Sequence, residues 1–334
     1  VSRIGIGVVT YNRRDVLAAT VDRVHRLTRH LDVEFVVADD GSTDGTLDWL
    51  RDNDVPVIRG VNMDVAWNKN RALYLLAEIR GCEAVILLED DTQPNKPGWE
   101  AEWIEAARLW GHANFAEPRL AEHFVSGAGT AADPFRSVHF TAQCSVFSRE
   151  SLLYGGFYDS RFRGYGHEHV EHTRRLVRVG FGGTERWVDG AEEVRYVLLT
   201  GDLTVAPVAS FQDAEQVERN LQIAQALMGE QGYRAPWRDD KELKQFRAEI
   251  AGALEARPQG FALHGAGGAE MKGWRSALQG WLGAGLVRVK IAIEYENTRF
   301  PYFVKPKVVI VGSAIHLIPS GNGSKHATSA GGTE

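Results

Sequence analysis

The chain has 334 residues, 44% hydrophobic and 25% charged, enough for one large domain or two smaller ones with a sizeable core. Its formal net charge of −6 excludes a basic nucleic-acid-binding surface and is too mild for a solvating acidic tail. No run reaches the roughly 18 apolar residues of a membrane span, and two well-separated cysteines, Cys82 and Cys144, fit buried thiols in a reduced, cytoplasmic setting.

A strand pattern begins at residue 4, which leaves no visible signal peptide. Ile4 to Thr10 is apolar and β-branched, as in a central strand. Tyr11-Asn12-Arg13-Arg14-Asp15 opens a helix with Val16, Leu17, Val21, Val24 and Leu27 at helical spacing. Val33 to Ala38 is a second strand and ends in Asp39-Asp40-Gly41-Ser42-Thr43-Asp44-Gly45. Ser42 or Thr43 is placed to cap the next helix, around Leu47, Trp49 and Leu50. Val55 to Ile58 is a third strand, and a helix from about Val65 to Ile79 leads to a fourth, Ala84 to Leu88. The fold class expected from this alternation is α/β, a doubly wound and mainly parallel sheet with helices on both faces.

Ligands bind such sheets beyond the carboxyl ends of the strands. That edge receives Thr10, Tyr11, Asp39, Asp40 and the triplet Glu89-Asp90-Asp91. Carboxylates buried there need a cation, which sets a ligand or metal site above a solvated acidic turn capping the next helix. Tyr11 offers an aromatic face to a base. Asp39 or Asp40 can accept from a uracil-like N–H or a ribose hydroxyl, and Asp91 can hold Mn²⁺ or Mg²⁺ bridging a diphosphate. Arg13, Lys69 and Arg71 can add positive charge near phosphates. No Gly-x-Gly-x-x-Gly follows the first strand and no Walker-type Gly-Lys-Ser/Thr occurs.

Trp99, Trp103 and Trp110 share a helix and read as core rather than as a sugar platform. Val138 to Phe147 reads as strand. The run from Gly155 to His172 then carries glycines that allow close backbone approach, followed by His167, Glu168, His169, Glu171 and His172 entering a helix. The spacing of these histidines is not His-Glu-x-x-His, so a metalloprotease is excluded. The plainer alternative is exposed polar residues at a helix start, where glutamate is favourable. Trp187 to Leu199 gives one or two strands and residues 202–208 a short one, with helices at 213–228 and 239–254. Residues 256–268 look like a linker. Met271 to Leu282 forms an amphipathic helix that packs on the body in preference to a peripheral membrane contact. Val287 to Glu296 alternates as a half-buried strand and Lys307 to Ile318 is a second, a small β appendage suited to an acceptor lid or a dimer contact. Residues 320–334 are polar, Gly-rich and expected to be disordered.

The runs Val8-Val9-Thr10-Tyr11-Asn12-Arg13, Val36-Val37-Ala38-Asp39-Asp40-Gly41-Ser42-Thr43-Asp44-Gly45 and Leu87-Leu88-Glu89-Asp90-Asp91 resemble the nucleotide-sugar half of family 2-type glycosyltransferases with the GT-A fold. Asn68-Lys69-Asn70-Arg71-Ala72-Leu73 is similar to that family's basic, helix-opening segment. Glu89 stands where the family usually writes the first Asp of Asp-x-Asp, a form that also resembles N-acetylglucosaminyltransferases of this fold. Gly155-Gly156-Phe157, Asp159, Gly164-Tyr165-Gly166 and Glu168 are similar to the Gly-Gly-Phe-Asp … Gly-Trp-Gly-Gly-Glu-Asp element on the acceptor side, with His169 where the family often has its catalytic Asp. These resemblances cover about residues 4 to 180.

The resemblance implies a metal-dependent glycosyltransferase that moves a sugar from a nucleoside diphosphate donor, a UDP-sugar first, to an acceptor hydroxyl on a glycan, a lipid-linked sugar or a small molecule, with inversion. Thr10, Tyr11, Arg13, Asp39, Asp40, Lys69, Arg71, Glu89 and Asp90 are then the nucleotide-binding set. Asp91 is the metal ligand, with His167, His169 or His172 as a further ligand, and Glu168 or His169 is the base. The expected organisation is a donor half over 1–95, an acceptor-side half over 96–235, a C-terminal α+β extension over 236–319 and the tail. The rival readings are a catalytically silent module that binds a nucleotide or glycan, and a sugar-nucleotide-forming nucleotidyltransferase.

Overall fold

The structure, a computed structural model, describes residues 3–188, 191–207, 213–230, 232–257 and 260–262, with the strands 307–311 and 314–318. Two compact units are distinguished, residues 1–271 and 272–334. The first is built on one sheet. Strands β1 (Ile4–Thr10), β2 (Val33–Asp39), β3 (Val57–Arg59) and β4 (Ala84–Glu89) lie in the order β3-β2-β1-β4, all parallel. Every residue of β1 and β2 is buried, as expected of strands covered on both faces. The strand order reverses direction between β1 and β4, so the crevice beyond their carboxyl ends is a topological switch point.

Helices α1 (Arg14–Thr28), α2 (Thr46–Asp52) and α4 (Glu100–Trp110) contribute Leu17, Val21, Leu50, Trp99 and Trp103 to the core on one face, with Ile4, Ile6 and Val8. Trp99 and Trp103 are thus core, as their spacing implies, and Trp110 packs partly buried against that core. On the other face lies α3 (Asp64–Leu73), continued by a wide π-helical turn over Tyr74–Ile79. A Cβ on Gly5 would sit 3.1 Å from Leu76 Cβ and one on Gly7 3.0 Å from Ala72 Cβ. The Ile-Gly-Ile-Gly alternation therefore lets this helix press directly against β1.

Beyond β4 the sheet continues through β9 (Cys144–Ser148), β6 (His112–Phe115), β11 (Ala191–Leu199), β8 (Phe135–Ser137) and β7 (Phe124–Ser126), with β10 (Gly183–Val188) hairpinned onto β11. A separate ladder joins β5 (Thr92–Pro94) to β12 (Leu203–Val205). Helices α5 (Arg149–Gly155), α6 (Glu168–Arg178), α7 (Ala214–Leu227) and α8 (Asp240–Ala256) complete the unit. In the second unit β13 (Lys307–Val311) and β14 (Ala314–Ile318) form an antiparallel hairpin, two strands where a single one is expected over Lys307 to Ile318.

Other expectations need correction. The strand expected over 138–147 is confined to Cys144–Ser148, because the chain leaves the sheet after Ser137 and its hydroxyl bonds the backbone of His139. Helix α2 starts after Gly45, which adopts a φ of 88°, and Asp44 rather than Ser42 or Thr43 accepts from the Thr46 N–H. Within the expected linker, Phe261 is fully buried and its carbonyl accepts from the Phe35 N–H. The helix over 271–282, the strand over 287–296 and the tail over 320–334 lie outside the described residues. Both cysteines are buried and unbridged. Among the described residues no helix is long and apolar enough to cross a membrane.

Candidate functional site

Three loops meet at the switch point. The loop after β1 carries Thr10, Tyr11, Asn12 and Arg13. Tyr11 is 46% exposed at the mouth, free to lie against a flat ligand. Asn12 takes the left-handed conformation (φ 51°), its N–H donates to Ser42 Oγ and its Oδ1 accepts from the Thr43 N–H. The first loop is thereby fastened to the Asp-Gly-Ser loop after β2.

The two aspartates after β2 have different fates. Asp39 is fully buried; its Oδ2 accepts from the Gly41 and Ser42 N–H groups at 3.1 and 3.0 Å. Its Oδ1 is buried with no hydrogen-bond partner among the described residues. An unpaired buried carboxylate oxygen beside the exposed Tyr11 suits a ligand N–H or hydroxyl donor. Asp40, by contrast, is consumed internally. It accepts from the Met63 and Asp64 N–H groups at 3.0 and 2.8 Å, and from Arg71 Nη1 at 2.6 Å. Burial raises its pKa, and these donors and Arg71 pull the other way.

Arg71 is fully buried, between Asp40, the Val61 carbonyl and Glu249 of α8. Asp40 and Arg71, both expected at the nucleotide, form a buried ion pair that fixes α3 to the end of β2. Asn68, one turn earlier, donates to the Thr10 and Ala38 carbonyls and ties β1 to β2 at the site.

At the end of β4 the triplet divides as well. Asp90 is 4% exposed; its Oδ2 accepts from Thr10 Oγ1 at 2.8 Å and its Oδ1 from Arg13 Nη1 at 3.1 Å. Its backbone carbonyl accepts from Thr20 of α1. Burial pushes the Asp90 carboxyl up to about 7, with Thr10 and Arg13 opposing and Asp91 adding to it. Asp91 faces Arg13 Nη1 at 3.3 Å, and its pKa is raised by burial and by Glu89. Glu89, a third exposed, meets Lys69 Nζ at 3.1 Å.

Lys69 is expected to add positive charge near phosphates. The structure buries it to 1% exposure, with Nζ between Glu89 and Glu168 and above the Tyr158 ring at 5.5 Å.

The acceptor-side element arrives on α6. Glu168 is buried at the first turn, with Oε2 accepting from the Gly166 N–H at 2.9 Å and Oε1 near Lys69 Nζ and His169 Nδ1 at 3.4 and 3.3 Å. Burial opposes its charge, yet His169 and Lys69 hold it well below the usual carboxylate range. His169 is partly exposed and its ring meets Phe140 edge-on at 5.4 Å.

His172 is fully buried; its Nε2–H donates to the Gly156 carbonyl at 2.8 Å, and burial pushes its pKa well down. The ring stacks on Phe147, and its Nδ1 is buried with no hydrogen-bond partner among the described residues. His167 starts α6 in the left-handed conformation (φ 67°) and lines a small groove between α6 and α7. Glu171 is bound to Arg175 and Arg234 and is structural.

No group of three or more His, Cys, Asp or Glu side chains that could cage a metal occurs among the described residues. The donor set nonetheless fits a divalent cation supplied with its ligand. Glu89, Asp90, Asp91 and Glu168 form four carboxylates against the two cations Arg13 and Lys69. Magnesium-type ions are commonly held by one or two carboxylates plus substrate phosphates. Asp91 is suited to the role: it is the triplet aspartate with the greater side-chain exposure, 15% against 5% for Asp90.

Residues 6–107 match the family model described as glycosyl transferase family 2. No curated protein matches the chain in sequence. Among solved structures, the chain is similar to a mannosyltransferase, PcManGT, from Pyrobaculum calidifontis in complex with GDP-Man and Mn²⁺, with 15% identity, a TM-score of 0.45, and coverage of 84% of this chain and 79% of that one. It is also similar to S. aureus TarS 1-349 in complex with UDP-GlcNAc, with 15% identity, a TM-score of 0.43, and coverage of 78% and 75%. A third is glucosyl-3-phosphoglycerate synthase from Mycobacterium tuberculosis with Mn²⁺, UDP and glucosyl-3-phosphoglycerate, at 15% identity, a TM-score of 0.42, and coverage of 68% and 78%.

Proposed function

We propose, on the footing that residues 6–107 are a glycosyl transferase family 2 segment, that this chain transfers a sugar from a nucleoside diphosphate donor to an acceptor hydroxyl in a divalent-metal-dependent reaction. The observation that carries the reading is the convergence at one switch point of an exposed aromatic ring, an unpaired buried carboxylate oxygen and a carboxylate cluster short of cations. Tyr11 stacks on the base, and Asp39 Oδ1 accepts from its N–H or from a ribose hydroxyl. A pyrimidine such as uracil offers such an N–H, which favours a UDP-sugar. Asp91 would hold Mn²⁺ or Mg²⁺, and the ion supplies positive charge where the departing diphosphate gains negative charge.

Arg13 sits beside Asp90 and Asp91, where its guanidinium would add positive charge near the diphosphate. The Glu168–His169 pair takes the acceptor proton. The acceptor oxygen then bonds to the sugar's anomeric carbon as the bond from that carbon to the diphosphate oxygen breaks, with inversion if attack comes from the opposite face. The acceptor is a hydroxyl on a glycan, a lipid-linked sugar or a small molecule, and the protein works in the cytoplasm.

A panel of UDP-sugars and GDP-mannose incubated with Mn²⁺ and no acceptor tests this. At least one donor should release its nucleotide slowly, and Asp91→Ala should abolish that release. Hydrolysis that is undiminished in Asp91→Ala would overturn the metal assignment. Nucleotide binding without hydrolysis or transfer would favour a silent binding module.

A further inference from the structure

We infer, resting on the transferase reading above, that His169 Nε2 is the proton acceptor and that Glu168 and Lys69 are positioning residues that aim the ring. Glu168 is 4% exposed and both of its oxygens are engaged, Oε2 by the Gly166 N–H and Oε1 by Lys69 and His169. Three donors already surround this buried carboxylate, which leaves it poorly open to an incoming hydroxyl. It can, however, accept from a ring N–H.

Because the atom facing it is His169 Nδ1, the ring carries its proton there and leaves the Nε2 lone pair bare. Nε2 has no hydrogen-bond partner among the described residues, and the side chain is 21% exposed. Phe140 packs against the same ring at 89° and 5.4 Å between centroids, so the imidazole contacts both a carboxylate and a phenyl ring.

Lys69 completes the device. It reaches from α3 behind Glu168 and also holds Glu89 at 3.1 Å, so one buried ammonium links the acidic triplet on β4 to the carboxylate that orients the base. The charged groups around His169 are Glu168 and His167 on its own helix and Lys69 from α3, while Phe140 adds none. In the reaction the acceptor O–H proton passes to Nε2, its oxygen bonds to the anomeric carbon, and the diphosphate leaves with the electron pair of the broken bond. The imidazolium so formed faces an ionised Glu168, the arrangement in which a carboxylate fixes a histidine's tautomer and stabilises its charged form.

The test is a long-range ¹H–¹⁵N spectrum of the full chain, with His169 assigned by the signal lost in His169→Gln. The expected state is Nδ1–H with bare Nε2. In Glu168→Gln a single amide oxygen cannot serve both Gly166 N–H and His169, so the ring should lose its fixed tautomer; Lys69→Met should loosen it as well. Two other histidines report whether each variant is folded: His112, whose Nδ1–H meets the Val146 carbonyl, and His172, whose Nε2–H meets that of Gly156.

An Nε2–H tautomer in the unmodified chain would overturn the inference, as would an unchanged ring in Glu168→Gln. In nucleotide release from the best donor, His169→Ala should lower kcat by about 10²–10⁴-fold with KM little changed, and added imidazole should restore part of it. Full kcat in His169→Ala would also overturn it. Loss of all nucleotide binding would sink the transferase reading itself. A wrong tautomer beside intact UDP binding would sink only this division of roles.

Discussion

Replacing Arg71 with leucine separates two roles for a cation that the sequence sets beside a phosphate-binding loop. The guanidinium has no exposed surface and holds Asp40 at 2.6 Å, Glu249 at 3.0 Å and the Val61 carbonyl at 2.8 Å. Removing one partner of a buried pair leaves the other charge uncompensated, at a cost of about 3–5 kcal/mol. Asp40 keeps its two backbone donors, so the lower half of that range applies. For a unit of this size each kcal/mol moves Tm by about 2–4 °C, so Arg71→Leu should lower Tm by roughly 10 °C. Thermal unfolding followed by circular dichroism reads this directly. A second change, Asp40→Asn, made in the Arg71→Leu background, should recover part of the loss, because the Asp40 charge is then no longer left buried without its cation, while Glu249 keeps its Trp67 and Gln245 donors. UDP affinity measured below the lowered Tm should stay within a few-fold of the unmodified chain. A Tm shift near zero together with a tenfold or greater loss of UDP affinity would refute the structural assignment and return Arg71 to the phosphates.

The remaining predictions concern acid stability and the nucleoside. Burial pushes His112 down to about 4, below the 6.5 of an exposed histidine, so between those values the unfolded chain binds a proton that the folded chain refuses. Stability is therefore full above pH 6.5 and falls as pH drops toward 4. Urea unfolding should show a loss of about 2 kcal/mol from this residue between pH 7 and pH 5, and His172, also held neutral, should add to it. Asp90, pushed up to about 7, gains a proton over the same window and offsets this loss, so the reading is made against a His112→Gln variant; a pH 7-to-5 change identical in that variant would contradict the neutral assignment. Asp39→Asn keeps the shape of the side chain but places an amide in it, and should weaken UDP binding by about tenfold, the scale of one charged hydrogen bond. Tyr11→Ala should weaken UDP binding with little change in Tm, since the ring is half exposed.

Much of the fold was legible because β1, β2 and β4 are apolar runs separated by amphipathic helices, and that alternation implies a parallel sheet before any contact is known. What was not legible depended on partners distant in the chain. Asp39 and Asp40 are adjacent and chemically identical, and only the folded positions of Met63, Asp64 and Arg71 show which one is used up. Lys69 looked like a phosphate ligand because its partner Glu168 lies 99 residues away.

Asn12, Ser42 and Asn68 were missed as site residues, although they fasten the loops that present Tyr11 and Asp39. A signal for them existed: Asn68-Lys69-Asn70-Arg71 is a polar run in the middle of a helix, where four consecutive buried polar residues need dedicated partners. The strand expected at 138–147 failed because alternation says nothing about where Ser137 would turn the chain aside.

The central claim is that the carboxylates at the switch point bind a divalent cation together with a nucleoside diphosphate. Calorimetric titration of UDP with and without Mn²⁺, beside GDP and dTDP, in the unmodified chain and in Asp91→Ala, tests it most directly. UDP should bind more tightly with Mn²⁺ than without, GDP and dTDP should bind more weakly, and the metal effect should vanish in Asp91→Ala. UDP affinity independent of Mn²⁺, or a metal effect that survives in Asp91→Ala, would contradict it.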